Sequence, residues 1–359
     1  MCTINPATVA VAREFRGLTQ SELAQRIGVN QATISRVEKG FSPATEELAR
    51  ALSEALAFPR AFFYEPVRDR CLPLAFYRKR VAVSQGCVKF VEAQTNILRM
   101  HLAKLLTAFE DVKVKIRHID LESYAGGAEA AAQDLRIQWS LRPGPIANLT
   151  NVMEPAGIII VPCDFGTPLI DGISVYEDDL PPVIFVKRNA PADRCRFTLA
   201  HELAHVLFHH HVFLPPISRD LEDEANIFAS ELLMPAADIR GEFTERVTLE
   251  DLAALKSYWR VSIQALIMRG ASLGLVSDMR KRYLFSQMSR LGYTKSEPGS
   301  LASEEPATLK TVLDYHLRKV GNSVNELAAV LAAFPDDLVR LYPELGKPRL
   351  HVWRLAPDS

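Results

Sequence analysis

The chain has 359 residues, a mass of 40.0 kDa and a formal net charge of −1. This length predicts two or three domains, and 48% hydrophobic with 24% charged residues argues against an intrinsically disordered chain. The near-zero net charge excludes a protein that coats polyanions over its whole surface, but it leaves room for a basic patch on one domain.

The cysteine content predicts a reducing compartment. The five cysteines are odd in number, widely spaced and free of any Cys-x-x-Cys pair. A disulfide framework and a cysteine-rich zinc site are therefore not expected. Residues 1–15 lack a basic patch followed by an apolar core, and apolar runs such as 157–161 are too short to span a bilayer. We expect a soluble cytoplasmic protein with no membrane contact.

Residues 1–65 predict an all-α domain of five short helices. The clearest four cover residues 7–15, 20–27, 31–38 and 42–56. Thr19 with Glu22 forms a capping-box pattern before the second helix, and Asn30 is a typical N-cap before the third. Gly28 predicts a tight turn between these two helices.

The start of the third helix carries short polar side chains. Gln31 and Thr33 suit the edges of bases, and Arg36 lies one turn later. Gln20, at the start of the second helix, is placed to contact phosphate. This arrangement is typical of a recognition helix that enters the major groove with its N-terminal end.

The stretch TQSELAQRIGVNQATISRVEKG, residues 19–40, resembles the lambda-repressor-like (XRE-type) helix-turn-helix DNA-binding domain, and the resemblance covers about residues 7–65. It implies a double-stranded DNA operator. The contacts carried over are Gln20, Gln31, Thr33, Arg36 and Lys39. The alternative is a small helical protein-interaction domain. Five basic and three acidic side chains between residues 13 and 39 leave only a small net positive charge to attract DNA. We therefore expect a homodimer on two half-sites.

Residues 66–110 predict a linker and a connecting helix. The linker is basic, with Arg68, Arg70, Arg78, Lys79 and Arg80. A solvated linker and a phosphate-binding strip are both compatible with these charges. Residues 85–109 follow with the apolar spacing of one long helix.

Residues 111–290 predict a mixed domain, and residues 291–359 a helical C-terminal extension. Short β-like runs cover residues 157–162, 172–176 and 183–186, and helical patterns cover 196–209, 219–234, 249–258 and 263–273. A low-complexity stretch covers residues 296–306. The predicted fold class is α+β and mainly helical, with a small β-sheet.

The central domain contains the motif His201-Glu202-Leu203-Ala204-His205. Residues four apart share one face of a helix, so both imidazoles can reach one Zn²⁺, and Glu202 beside them can deprotonate water. Apolar residues on nearly every side of this helix predict that it is buried. The alternative is a pair of hydrogen-bonded core histidines.

A catalytic zinc needs a third protein ligand. His209 would lie about 12 Å along the helix axis from His201, which is too far. We interpret His209 to His211 as the cationic end of the helix.

The next helix offers two carboxylates. Glu222 falls on the face that carries Ala225 and Ala229, and it is the predicted third ligand. Glu224, on the opposite side, is the fallback. Asn226 lies one turn after Glu222 and is placed to hydrogen-bond a ligand histidine.

Two motifs carry a second resemblance. RFTLAHELAH, residues 196–205, and ExxANxFAxxLLMP, residues 222–235, look like the ImmA/IrrE family of zinc metallopeptidases, over about residues 144–235. The resemblance implies a zincin-like fold and one Zn²⁺ per chain on His201, His205 and Glu222, with Glu202 as general base. It also implies a protein substrate, namely a repressor.

This chain departs from the simplest members of that family because it carries its own DNA-binding domain. Cleavage of its own linker and a non-catalytic sensor of a ligand or partner therefore remain alternatives. Tyr176 is a candidate oxyanion stabiliser or an ordinary strand tyrosine.

Overall fold

A computed structural model describes residues 4–66, 83–109, 114–177, 180–209, 220–244 and 246–346. Residues 67–82, which hold the predicted basic cluster, lie outside these ranges, as do His210 and His211. The described residues form 16 α-helices and one three-stranded sheet, so the mainly helical α+β prediction is confirmed. None of these helices is both long and apolar enough to cross a membrane.

The helices before the sheet fall into an N-terminal group and three that follow it. The first group is α1 (Pro6–Phe15), α2 (Gln20–Ile27), α3 (Gln31–Glu38), α4 (Glu46–Leu56) and a 3₁₀ helix (Arg60–Tyr64). The next are α5 (Gln85–Leu106), α6 (Gly127–Gln138) and α7 (Thr150–Met153).

The helices after the sheet run to the end of the described chain. They are α8 (Ala192–Ala204), α9 (Leu221–Leu233), α10 (Ala236–Ile239), α11 (Leu249–Trp259), α12 (Ile263–Ser272), α13 (Asp278–Arg290), α14 (Thr308–Arg318), α15 (Val324–Val330) and α16 (Pro335–Leu341).

Side-chain caps define the first helices. Thr19 and Glu22 form the predicted capping box of α2, and the Asn30 side chain accepts from Thr33 N at the start of α3. The predicted start of α4 at residue 42 is wrong. Thr45 accepts from Leu48 N, so the helix begins at Glu46. An N-cap hydroxyl satisfies a backbone N–H that the first turn leaves unpaired, which is why it fixes the start.

The sheet contains β1 (Ile159–Cys163), β2 (Gly172–Glu177) and β3 (Leu180–Lys187), in the order β1-β3-β2. β3 pairs in parallel with β1, where Ile160 lies opposite Ile184, and antiparallel with β2, where Ser174 lies opposite Ile184. β2 is therefore an edge strand, and its second edge pairs with no strand within the described ranges.

The core of the mixed domain lies between the sheet and two helices. The strands β2 and β3 pack on α8, and α9 packs between α6 and α8. Ala200 and Ala204 on α8 and Ala225 and Ala229 on α9 are fully buried. Small side chains at these positions let the two helix backbones approach closely, as the alanine pattern predicts.

The described residues divide into two compact units. The first contains residues 4–66, 89–108 and 310–346, and the second contains residues 83–88, 109, 114–177, 180–209, 220–244 and 246–309. The DNA-binding candidates lie in the first unit and the metal-site candidates in the second. The sequence-based domain bounds at residues 65, 110 and 290 stay predictions.

The first unit is assembled from segments that are far apart in sequence. The Arg16 guanidinium donates to both carboxylate oxygens of Asp337 and to the carbonyl oxygens of Leu56 and Ala57. Lys104 Nζ donates to Glu65 Oε1 over 2.6 Å. The C-terminal helices are therefore part of the same packed body as α1 to α4.

His101 gives this unit a pH dependence. Burial, and next the positive charge of Lys104, lowers the pKa of this histidine to about 3. An unfolded histidine titrates near pH 6.5, so the unfolded state binds more protons between about pH 6.5 and 3. The stability contributed by neutral His101 is complete above that window and is lost as the pH falls through it.

We expect His101→Gln to flatten the acid side of the stability curve by up to about 1.4 kcal/mol per pH unit. Urea unfolding followed by circular dichroism between pH 7 and pH 4 measures this slope. Tyr342→Phe is the control, because it removes the hydroxyl 3.2 Å from His101 Nδ1 and keeps the titrating ring. Equal slopes in wild type and His101→Gln would contradict the assignment.

Candidate functional site

Helix α8 positions both histidines of the central motif. His201 lies in its last turn, and His205 opens a π-helical turn, His205–His209, that continues it. Both imidazoles are buried, and their Nε2 atoms lie 3.1 Å apart. A buried polar ring needs a polar partner, and here each ring turns its Nε2 atom towards the other ring.

Glu222 on α9 completes a group of three. Its Oε2 lies 3.4 Å from His201 Nε2, and its Oε1 lies 3.3 Å from His205 Nε2. Among the described residues this is the only group of at least three His, Cys, Asp or Glu side chains that could hold a metal ion. The structure thus brings together the three side chains selected from the sequence.

The donor set fits a zinc ion. Two donors bound tetrahedrally at about 2.0–2.1 Å lie about 3.3–3.4 Å apart. The two imidazole Nε2 atoms lie 3.1 Å apart, close to that edge length, and each lies 3.3–3.4 Å from a different carboxylate oxygen of Glu222. Two imidazoles with one carboxylate are also the ligand types found at catalytic zinc sites that keep one position open.

The second nitrogen of each histidine has its own partner. His201 Nδ1 lies 3.0 Å from Asn226 Oδ1, as the sequence predicts. His205 Nδ1 lies 2.7 Å from His209 Nδ1, and His209 Nε2 lies 2.9 Å from Glu224 Oε2. These contacts fix the orientation of both rings, so that each Nε2 faces the group of three donors.

His209 lies at the end of the π-helical turn, as the sequence predicts, and its positive charge stays a prediction. The side chain is buried between His205 and Glu224, because the turn after Ala204 packs its ring inward. Glu224, the fallback ligand, contacts His209 and lies outside the group of three donors.

The Glu202 side chain is held by β2. The Ser174 hydroxyl donates to Glu202 Oε2 over 2.8 Å, and both side chains are buried. Gly172 lies two residues before Ser174 on the same strand, and therefore on the same face of the sheet. A Cβ there would lie 2.4 Å from Thr198 Cγ2 and 3.0 Å from Glu202 Cγ. The missing side chain at residue 172 thus lets α8 approach the strand.

The three donors line a cleft of about 1250 Å³. Glu202 and Tyr176 line it as well, and a role of the tyrosine in oxyanion binding stays a prediction. Leu169, Ile227 and Met268 line it with partly exposed apolar side chains. Residues 293–297 and 299–301, with Ser303, form part of its wall.

Buried thiols do not supply an alternative nucleophile. Burial raises the pKa of Cys195 to about 11, and it also raises the pKa of Cys163. At neutral pH both therefore stay protonated and weakly nucleophilic.

The candidate DNA-binding side chains in the first unit form a connected surface. Gln31 Nε2 donates to Gln20 Oε1 over 2.7 Å, and Gln20 Nε2 donates to Glu38 Oε2 over 2.7 Å. Arg13 donates to both carboxylate oxygens of Glu38. The two glutamines are thereby fixed at the adjoining N-terminal ends of α2 and α3.

The remaining DNA candidates lie on α3 or at its C-terminal end. Arg36 and Lys39 are exposed, and Thr33 is partly exposed because its hydroxyl contacts Asn30. This is the presentation that a major-groove helix requires.

Sequence reasoning missed Ser174, Gly172 and the contact between His209 and Glu224. A glycine followed two residues later by serine on a predicted strand was a detectable pattern. Its contact with α8 depends on how the sheet packs, which no local pattern gives.

Two family models match the chain. Residues 10–63 match a helix-turn-helix model, and residues 153–269 match a model described as the IrrE N-terminal-like domain, of the peptidase M78 family. No curated protein matches the chain. The predicted fusion of an XRE-type helix-turn-helix with an ImmA/IrrE-type domain is confirmed.

We expect Gly172→Ala to destabilise the second unit by about 1–3 kcal/mol, because the added methyl overlaps Thr198 and crowds Glu202. Thermal unfolding measures the loss. Gly241→Ala is the matched control, since a Cβ at residue 241 meets nothing within 4 Å. Equal melting temperatures for the two variants would show that β2 and α8 are not in close contact.

Proposed function

Since the chain joins a helix-turn-helix domain to an IrrE N-terminal-like domain, we propose that it is a cytoplasmic transcriptional regulator whose second unit is a zinc-dependent peptidase. The observation that supports the peptidase most directly is the group His201, His205 and Glu222, with Glu202 beside it in an open cleft. A repressor-type protein is the proposed substrate.

Each side chain has a role that follows from its contacts. His201, His205 and Glu222 would hold the ion, which supplies a Lewis acid that polarises a carbonyl group and activates water. Ser174 holds Oε2 of Glu202, and the carboxylate accepts the proton of the attacking water and later delivers it to the amine that leaves. The peptide C–N bond breaks, and water supplies the hydroxyl and the proton to the two new ends.

The DNA-binding role rests on the surface around Gln20 and Gln31. Their mutual hydrogen bond orders two amide groups, one at the start of α2 and one at the start of α3, and Arg36 and Lys39 add exposed positive charge. Because this surface carries few charges, we propose that a homodimer binds two half-sites.

The first test is the zinc content of the purified chain. We expect about one zinc per chain, and we expect His201→Ala and Glu222→Ala to lose it. His209→Ala should weaken zinc binding by about 10–100-fold, because His205 loses its orienting partner. Competition with a chelator measures the affinity. His316→Ala is the control, since this buried histidine contacts the Leu105 carbonyl elsewhere in the fold. A zinc-free wild type that still binds DNA would contradict the metal site.

Glu202→Gln separates a peptidase from a sensor. The variant should keep zinc and lose cleavage. Mass spectrometry can follow cleavage of two substrates, namely the linker 66–82 of the chain itself and a tryptic peptide library from a bacterial proteome. The non-catalytic regulator is the second candidate, because the chain carries its own DNA-binding domain. Normal promoter regulation by Glu202→Gln in a reporter assay would favour it.

We expect Arg36→Ala to weaken binding to 30-bp duplexes selected from a random-sequence pool by about 5–150-fold, the effect of losing one base contact. Fluorescence anisotropy at fixed salt concentration measures it. Arg50→Ala removes an equal charge from the exposed side of α4 and serves as the control. Equal losses in both variants would show that net charge alone governs binding.

A further inference from the structure

The wall of the metal-site cleft includes a segment without regular structure between α13 and α14. This segment, residues 298–303, is called the strap below. Its sequence is Pro-Gly-Ser-Leu-Ala-Ser, and all its side chains except Leu301 are small. Gly299, Ser300, Leu301 and Ser303 line the cleft that holds the metal centre.

Two glutamates anchor the strap at its ends. Glu297 accepts from Lys256 Nζ over 2.8 Å and from the backbone N–H of Ile263, at the start of α12, over 2.7 Å. Glu304 pairs with the buried Arg196 and accepts from Leu149 N over 2.7 Å. Both carboxylates are largely buried, so the strap is fixed at each end to helices of the second unit.

The backbone between these two glutamates makes no hydrogen bond within the described residues. Within the described parts of the chain, no backbone N–H or carbonyl of residues 298–303 takes part in a hydrogen bond. Backbone groups of an anchored segment are usually paired with protein or water, and unpaired ones that line a cleft are available to a ligand. β2, which also lines the cleft, has one edge that pairs with no strand among the described residues.

We propose that the strap is a substrate-binding wall that hydrogen-bonds the backbone of an extended polypeptide lying in the cleft. Main-chain pairing of this kind selects an unfolded or linker segment and rejects a folded domain. The small side chains of the strap leave room for the peptide, and the cleft of about 1250 Å³ exceeds the 300–1,000 Å³ typical of small-molecule sites. This inference rests on the proposed peptidase function.

The test measures binding rather than cleavage. Zinc-loaded Glu202→Gln protein, as the full chain, is immobilised and offered a tryptic peptide library from a bacterial proteome. Two further variants are made in that background. Ser300→Pro removes a backbone N–H from the strap, and Ser300→Trp fills the cleft beside it while keeping the backbone. Glu305→Pro is the control, because it removes an N–H from an exposed residue outside the cleft wall.

We expect Ser300→Pro and Ser300→Trp each to reduce the retained peptides at least about tenfold, with Glu305→Pro unchanged and zinc content and melting temperature preserved. The strap would be overturned as a binding wall if Ser300→Trp retained peptides to within about twofold of the parent, or more peptides than the parent. It would also be overturned if the parent retained no peptides. If the parent retains peptides but zinc-loaded wild type cuts none, the peptidase proposal fails and the strap proposal stands.

Discussion

The packing of α8 against α9 is the constraint on which the candidate metal centre depends. The two helices are in contact, and Ala200 and Ala204 on α8 and Ala225 and Ala229 on α9 are fully buried. Their small side chains bring the two backbones close enough for Glu222 to reach both imidazoles. Burying two imidazoles and a carboxylate is costly unless each polar atom has a partner. The helices therefore have to match in their polar contacts as well as in their packing.

The partners of the two histidine donors come from α9 and from the π turn that continues α8. Asn226 lies one turn after Glu222 on α9 and contacts His201, while Glu224 reaches His205 through His209. Only the partner of Glu202, Ser174, comes from the sheet. A shift of β2 would thus disturb the contact of Ser174 with Glu202, while the contacts of His201 and His205 come from other elements.

The sequence predicted those features that depend on local spacing. The i, i+4 histidines, the alanine face of α9 and the capping box at Thr19 are all set within one or two helical turns, and their positions in the structure agree. It did not predict that His209 is buried, because that depends on a π turn and on Glu224 fifteen residues away. It also did not predict the strap, whose anchors Glu297 and Glu304 pair with Lys256 and Arg196, 41 and 108 residues earlier in the chain. Long-range pairing of single charged side chains leaves no periodic pattern.

The discontinuous first unit has a consequence for synthesis of the protein. Its core combines α1 to α4 with residues 310–346, and Arg16 is paired with Asp337. A ribosome must therefore translate the entire second unit before the N-terminal body can acquire its last packing partners. Domains usually fold as units during translation, with the N-terminal domain first. Here residues 310–346 complete the packing of the first unit, so the complete DNA-binding unit exists only after the peptidase-type unit has been translated.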